Sequence, residues 1–286
     1  MATKTAISST KKSTATKPKA STSALKGTTS MSVVYKAVCK TLKDMPIIGA
    51  LVAEFVGAFL LTAAFIEMQG SPLFVAFALG GVVLIVGGVS GAHVNPAVTI
   101  GAWVTRKMNW IYALGYIVAQ LLGATVAYLV LNTFLHATGP TAAQTAAGAT
   151  APVLLHAASI VKDKEWYIFF TELLGTGILA LGVATALRTK RNKIVAAFAA
   201  GFAISIALYI ALTLNSALLQ SSTESNVVLT FLNPAIAFAA NGLSWNAWPL
   251  AIYVLAPVLG AVIGFSLQDF FHSQNNDDCD CDDCNC

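Results

Sequence analysis

Charge is scarce in this 286-residue chain: Asp, Glu, Lys and Arg make up 10% of it, against 56% hydrophobic side chains. A water-soluble enzyme carries about a quarter charged residues, so the composition excludes a soluble domain with a polar outer face and leaves a membrane protein. Cysteine is nearly missing from the body of the chain. Cys39 stands apart, and Cys279, Cys281, Cys284 and Cys286 crowd the last residues, so no disulfide framework can hold a domain together. Catalytic signatures are absent as well: there is no P-loop, no Rossmann glycine pattern, no nucleophile elbow and no H-E-x-x-H, and the sequence is not that of an enzyme. The formal charge of +4 comes from residues concentrated in the two tails, which argues against a nucleic-acid partner.

Residues 1–45 are rich in Lys, Thr, Ser and Ala and poor in large apolar side chains. They cannot bury enough surface to offset chain entropy, and a disordered basic arm is expected, solvated or adhering to an anionic leaflet. The arm lacks the apolar stretch of a secretory signal, and its want of Arg argues against a transit peptide. Residues 269–286 form an acidic tail. Its four thiols beside five Asp could chelate a soft metal, or the tail is merely solvated; no cofactor is expected.

A spanning helix needs about 20 mainly apolar residues, and six stretches qualify: 47–66, 72–89, 110–135, 166–187, 194–214 and 247–267. No charge interrupts the chain between Lys193 and Glu224 or between Glu224 and Asp269, so these helices face lipid. If the six alternate in direction, the basic arm, Arg106 with Lys107, and Arg188, Lys190, Arg191 and Lys193 share one side, with Lys162 and Lys164 opposite. The excess of positive charge makes that side cytoplasmic, both termini included, and the plasma membrane is the default location.

Laid on itself, the chain repeats. AEFVGAFLLT at 53–62 matches TELLGTGILA at 171–180, and YIVAQLLGA at 116–124 matches YVLAPVLGA at 253–261. Each half holds three spans, an odd number, so the second enters the membrane inverted. The boundaries follow: a first repeat at 46–136, an external loop at 137–162 and a second repeat at 163–268. Between the second and third spans of each half lies a segment too apolar for a loop and too short to cross, starting Asn95-Pro96-Ala97 and Asn233-Pro234-Ala235. Asn is a strong N-cap and Pro suits the first helical position. Ten helical residues reach about 15 Å, half the hydrocarbon thickness. Two half-helices dipping from opposite faces meet at the centre, where irregular backbone is tolerated because it lines a cavity. Their positive ends face each other, and their Asn amides offer donors to a passing oxygen. The all-α architecture expected is six transmembrane helices plus two re-entrant half-helices in an inverted repeat.

SGAHVNPAVTIG at 90–101 resembles the first signature of the major intrinsic protein family, the aquaporins and aquaglyceroporins, and the likeness extends over about 47–267. The resemblance implies a homotetramer in the lipid bilayer with one pore per subunit, passing water or small neutral solutes such as polyols, urea or ammonia. Glu54 and Glu172, matched in the repeat, are either a proton relay or braces for the loops before the half-helices; the family uses such glutamates as braces. His93 is expected to hold its loop rather than bind metal. Gly87 with Gly91, and Gly260 with Gly264, have the spacing of close helix contacts.

The chain departs from the family where the family narrows. The position after the second Asn-Pro-Ala, normally Arg, is Ile236, and counting from the motifs gives Val75, Leu208 and Thr230 as its companions. This ring predicts relaxed selectivity, unless a residue from 215–229 fills the space left by Arg. Two rival readings remain: a secondary active transporter, which also uses broken helices, and a closed structural junction protein sealed by Ile236.

Overall fold

The computed structural model describes residues 46–137, 153–189, 192–219 and 226–276. All belong to one compact unit, 42–286, of the two into which the chain divides. The basic arm, most of the loop at 137–162, Lys190, Arg191, residues 220–225, and the end of the tail from 277, with Cys279, Cys281, Cys284 and Cys286, lie outside the described residues, whereas the first part of the tail, 269–276, continues the last helix.

The first repeat contains α1 (Pro46–Glu67), α2 (Pro72–Ser90), the short α3 (Pro96–Val104) and α4 (Trp110–Ala137). Then come β1 (His156–Ala157), α5 (Glu165–Arg188), α6 (Lys193–Leu219), β2 (Val227–Val228) and the second short helix, α7 (Pro234–Ala239). The last span is composite: α8 (Ala247–Leu250), a π-helical turn (Ala251–Leu255) and α9 (Ala256–Asn276). Among the described residues, six helical stretches are long and apolar enough to cross a membrane. Their outward faces are apolar, with Phe77, Ile85 and Tyr209 each about two-thirds exposed. Such surface is tolerable only against lipid.

Pro72 occupies the first turn of α2, where its missing N–H costs nothing. The helix stops at Gly91, whose φ of 91° is left-handed and whose N–H returns to Gly87 O. Gly91 is thus a helix stop, because a residue at that φ cannot continue α2, and a Cβ there would also lie 3.0 Å from Leu187 Cδ2. The fifth span outruns its expected end, reaching Leu219 and taking Asn215 inside the helix. The π turn precedes Pro257, whose ring would collide with the carbonyl of residue 253 in an unbroken α-helix.

The two repeats pack alike. In the first, α4 crosses α1 so closely that a Cβ on Gly123 would lie 2.3 Å from Phe55 O; in the second, a Cβ on Gly260 would lie 2.2 Å from Leu173 O. Both contacted carbonyls belong to the residue after a buried glutamate, Glu54 or Glu172. Glycine is therefore required at the crossing that presents each glutamate to its loop. Between the segment that precedes α5 and the chain entering α7, His156 pairs with Val227 and Ala157 with Val228 in a short parallel ladder.

Candidate pore at the half-helix junction

Both short helices start as their sequence dictates. Asn95 and Asn233 are extended N-caps whose Oδ1 atoms accept the N–H of Ala97 at 2.9 Å and of Ala235 at 3.0 Å. Pro96 and Pro234 follow in the first helical position. Each Asn amide then reaches into the other repeat: Asn95 Nδ2 donates to Leu232 O at 2.8 Å and Asn233 Nδ2 to Val94 O at 2.9 Å. The two helix tips are thereby tied together at the centre of the molecule.

Those acceptor carbonyls belong to strained residues. Val94 has φ 43° and Leu232 φ 55°, left-handed values that cost a non-glycine residue about 1–3 kcal/mol. The glutamates hold them. Glu54 Oε1 accepts from His93 N–H at 3.0 Å and Oε2 from Val94 N–H at 2.7 Å; Glu172 Oε1 accepts from Phe231 N–H at 2.6 Å and Oε2 from Leu232 N–H at 2.9 Å. Both carboxylates are fully buried, and each of their oxygens accepts a backbone N–H. His93 places Nδ1 3.3 Å from Thr99 Oγ1 and its ring edge-on to Tyr116. Among the described residues no group of three or more His, Cys, Asp or Glu could hold a metal ion.

Asn95, Asn233, His93 and Ile236 border one central cavity of about 10 Å³, on the scale of a single water. No charged side chain lines it. Val75, Leu208 and Thr230 are fully buried but do not border this cavity; α2 and α6 contribute Leu79 and Ile204 instead, one turn nearer the tips. Thr230 Oγ1 accepts from Asn215 Nδ2 at 2.8 Å, and the same amide reaches Thr171 Oγ1 at 2.9 Å. Asn215 Oδ1 is buried without a hydrogen-bond partner among the described residues.

Wider vestibules flank the cavity at the two ends of α5. At the Arg188 end a space of about 560 Å³ is bordered by His93, Tyr112, Tyr116 and Lys107. There Asp269 bridges Lys107, at 2.6 Å, and Arg188, so these three chain segments share one face. At the Glu165 end a space of about 510 Å³ is bordered by Lys162, Trp248 and Tyr253.

The cavity residues that counting from the motifs misses include Phe65 and Phe231, whose rings lie 5.9 Å apart. Phe231 had a readable signal: it precedes Asn233 by the interval at which His93 precedes Asn95.

Residues 41–267 match the family described as Major intrinsic protein. The chain belongs to that family. It is therefore a multi-pass membrane channel and not an enzyme. It is 29% identical over 220 residues to glycerol uptake facilitator protein-like 6 of Lactiplantibacillus plantarum, covering 74% of this chain and 92% of that protein. It is 34% identical over 206 residues to aquaporin AqpM of Methanothermobacter marburgensis, covering 69% of this chain and 74% of that one. The fold is that of the aquaglyceroporin from Plasmodium falciparum, with a TM-score of 0.60 at 21% identity over 81% of this chain and 99% of that chain.

Proposed function

We propose that this major intrinsic protein passes water and small neutral solutes passively and turns back ions where its half-helices meet. The observation that carries the reading is the reciprocal tie of Asn95 to Leu232 O and Asn233 to Val94 O beside an uncharged cavity. Each Asn amide has two N–H groups and spends one on the tie, which leaves the other for the oxygen of a permeating molecule. A cation there meets two positive helix ends and no carboxylate, because both glutamate side chains are turned to backbone.

The side bearing Lys107, Arg188 and Asp269 is cytoplasmic in this reading, by the positive-charge rule. The outer ring consists of Val75, Leu208, Thr230 and Ile236, Glu54, Glu172 and His93 are structural supports, and the protein works as a homotetramer in the plasma membrane. The transporter alternative lacks groups to couple an ion, since the cavity holds only His93, Asn95 and Asn233 as polar side chains.

Stopped-flow light scattering on proteoliposomes tests the reading. Water flux well above that of empty vesicles, with no accumulation of any solute against its gradient and no cation current, is the expected result. Uphill accumulation would establish a transporter, and no flux of any kind a sealed junction.

A further inference from the structure

The inverted repeat pairs residues across the pore, and at the pore lining the pairing is unequal. Leu61 matches Leu179 and Asn95 matches Asn233, like with like. Val98 and Ile236 differ only by one carbon of an aliphatic side chain, and two further matched pairs set a phenylalanine against a different side chain, the two phenylalanines lying together. Where the first repeat has His93 before its half-helix, the second has Phe231; where α5 presents Val183, α1 presents Phe65. All four border the central cavity.

The geometry around the unequal pair is conserved while its chemistry is not. His93 meets Tyr116 at 5.5 Å and 75°, and Phe231 meets Tyr253, the repeat counterpart of Tyr116, at 5.3 Å and 77°. His93 borders both the cavity and the vestibule at the Arg188 end, so a polar ring forms that threshold. On the opposite side Phe231 borders the cavity, and Tyr253 behind it borders the vestibule at the Glu165 end. Phe231 and Phe65 are 2% and 1% exposed, and Phe231 is fixed from behind through its N–H to Glu172. Phe65, Phe231 and Tyr253 thus form a run of ring contacts that leads from the cavity to a residue bordering the Glu165-end vestibule.

We propose that the Phe65–Phe231 pair is the size- and polarity-selecting barrier of this pore, favouring water over three-carbon polyols. The inference rests on the channel reading above and deepens it. A water molecule crossing the pair loses hydrogen-bond partners for one step between Asn233 and the vestibule. A polyol must push the packed rings apart and strip several hydroxyls at once, which raises its barrier more. With no cation at residue 236, discrimination moves from the outer ring to the aromatic pair.

The repeat supplies its own test variants. Phe65→Val and Phe231→His each copy the matched residue of the other flank, and Phe231→Ala removes the ring. Water and glycerol permeabilities are measured for all three and the wild type in proteoliposomes, with monodispersity in detergent and helix content checked for each. Glycerol permeability is expected to rise about tenfold in Phe65→Val and Phe231→Ala, equivalent to about 1.4 kcal/mol off the barrier, with a much smaller change for water. Phe231→His is expected to raise water more than glycerol. If Phe231→Ala does not fold, Phe65→Val decides. A folded variant with the wild-type glycerol-to-water ratio overturns the proposal while leaving a conducting wild type as a channel. Absence of flux in the wild type and all variants overturns both.

Discussion

Gln120 gives Glu54 a partner that Glu172 lacks. Its Nε2 lies 2.7 Å from Glu54 Oε2 and 2.9 Å from Thr99 Oγ1, whereas the matched positions of the second repeat are Pro257 and Ala237. The two braces are equal toward the backbone and unequal toward their neighbours. Glu172 stands on its two backbone donors alone among the described hydrogen bonds.

Removing the second brace therefore exposes the backbone directly. Glu172→Ala leaves the N–H groups of Phe231 and Leu232 unpaired in a buried site, at about 1–3 kcal/mol for each, beside the strained φ of Leu232. Thermal unfolding in detergent is expected to rank wild type above Glu172→Gln and Glu172→Ala last. Gln120→Leu should cost about 1.5–3 kcal/mol, the worth of a hydrogen bond to a charged group. Equal stability of Glu172→Ala and wild type would refute the brace.

At the tips, Asn233→Asp removes the donor to Val94 O and puts negative charge beside the positive end of α7. Water flux is expected to fall and a cation leak to appear in planar bilayers. A variant as tight to cations as wild type would argue that exclusion lies elsewhere in the pore.

Ile236→Arg tests the outer ring. Ile236 is 2% exposed and borders a cavity of about 10 Å³, so a guanidinium has to extend into space that solutes need. Passage of glycerol and urea is expected to slow more than that of water, measured as the ratio of their rates. An unchanged ratio counts against residue 236 facing the conducting path.

At the basic face, Asp269→Ala breaks the bridge between Lys107 and Arg188 where all three side chains are about one-third exposed. Ion pairs this exposed are worth about 0–1 kcal/mol. Unfolding temperature is expected to shift little and less still in high salt, and water permeability to stay near wild type. A large loss of flux would give the triad a role in shaping the vestibule.

The spans were legible because the membrane imposes one length and one chemistry on every crossing element. The fifth runs past its expected end because Asn215 marks a helix end in water, whereas here its amide finds Thr171 and Thr230 inside the protein. The half-helices were legible because Asn followed by Pro is both a cap and a first-turn signal. The ring of Val75, Leu208, Thr230 and Ile236 was a count along the chain, and of the four only Ile236 borders the central cavity. Phe65 was hidden for a physical reason: in a chain that covers its lipid face with Phe, a pore-facing Phe has no distinguishing neighbours in sequence. Comparing Phe231 with His93 would have exposed the unequal pair at the cavity. Glu54 and Glu172 stood out as a matched pair of intramembrane acids, but their partners depend on a left-handed backbone at Val94 and Leu232 that no propensity predicts.

The ties across the centre join residues 137 and 139 positions apart. During synthesis the first repeat leaves the ribosome with Asn95 and the carbonyl of Val94 still lacking their mates, in a bilayer that offers no water in exchange. The middle of the molecule is consequently the last region that can be completed, because neither tie can close before the second half has been made.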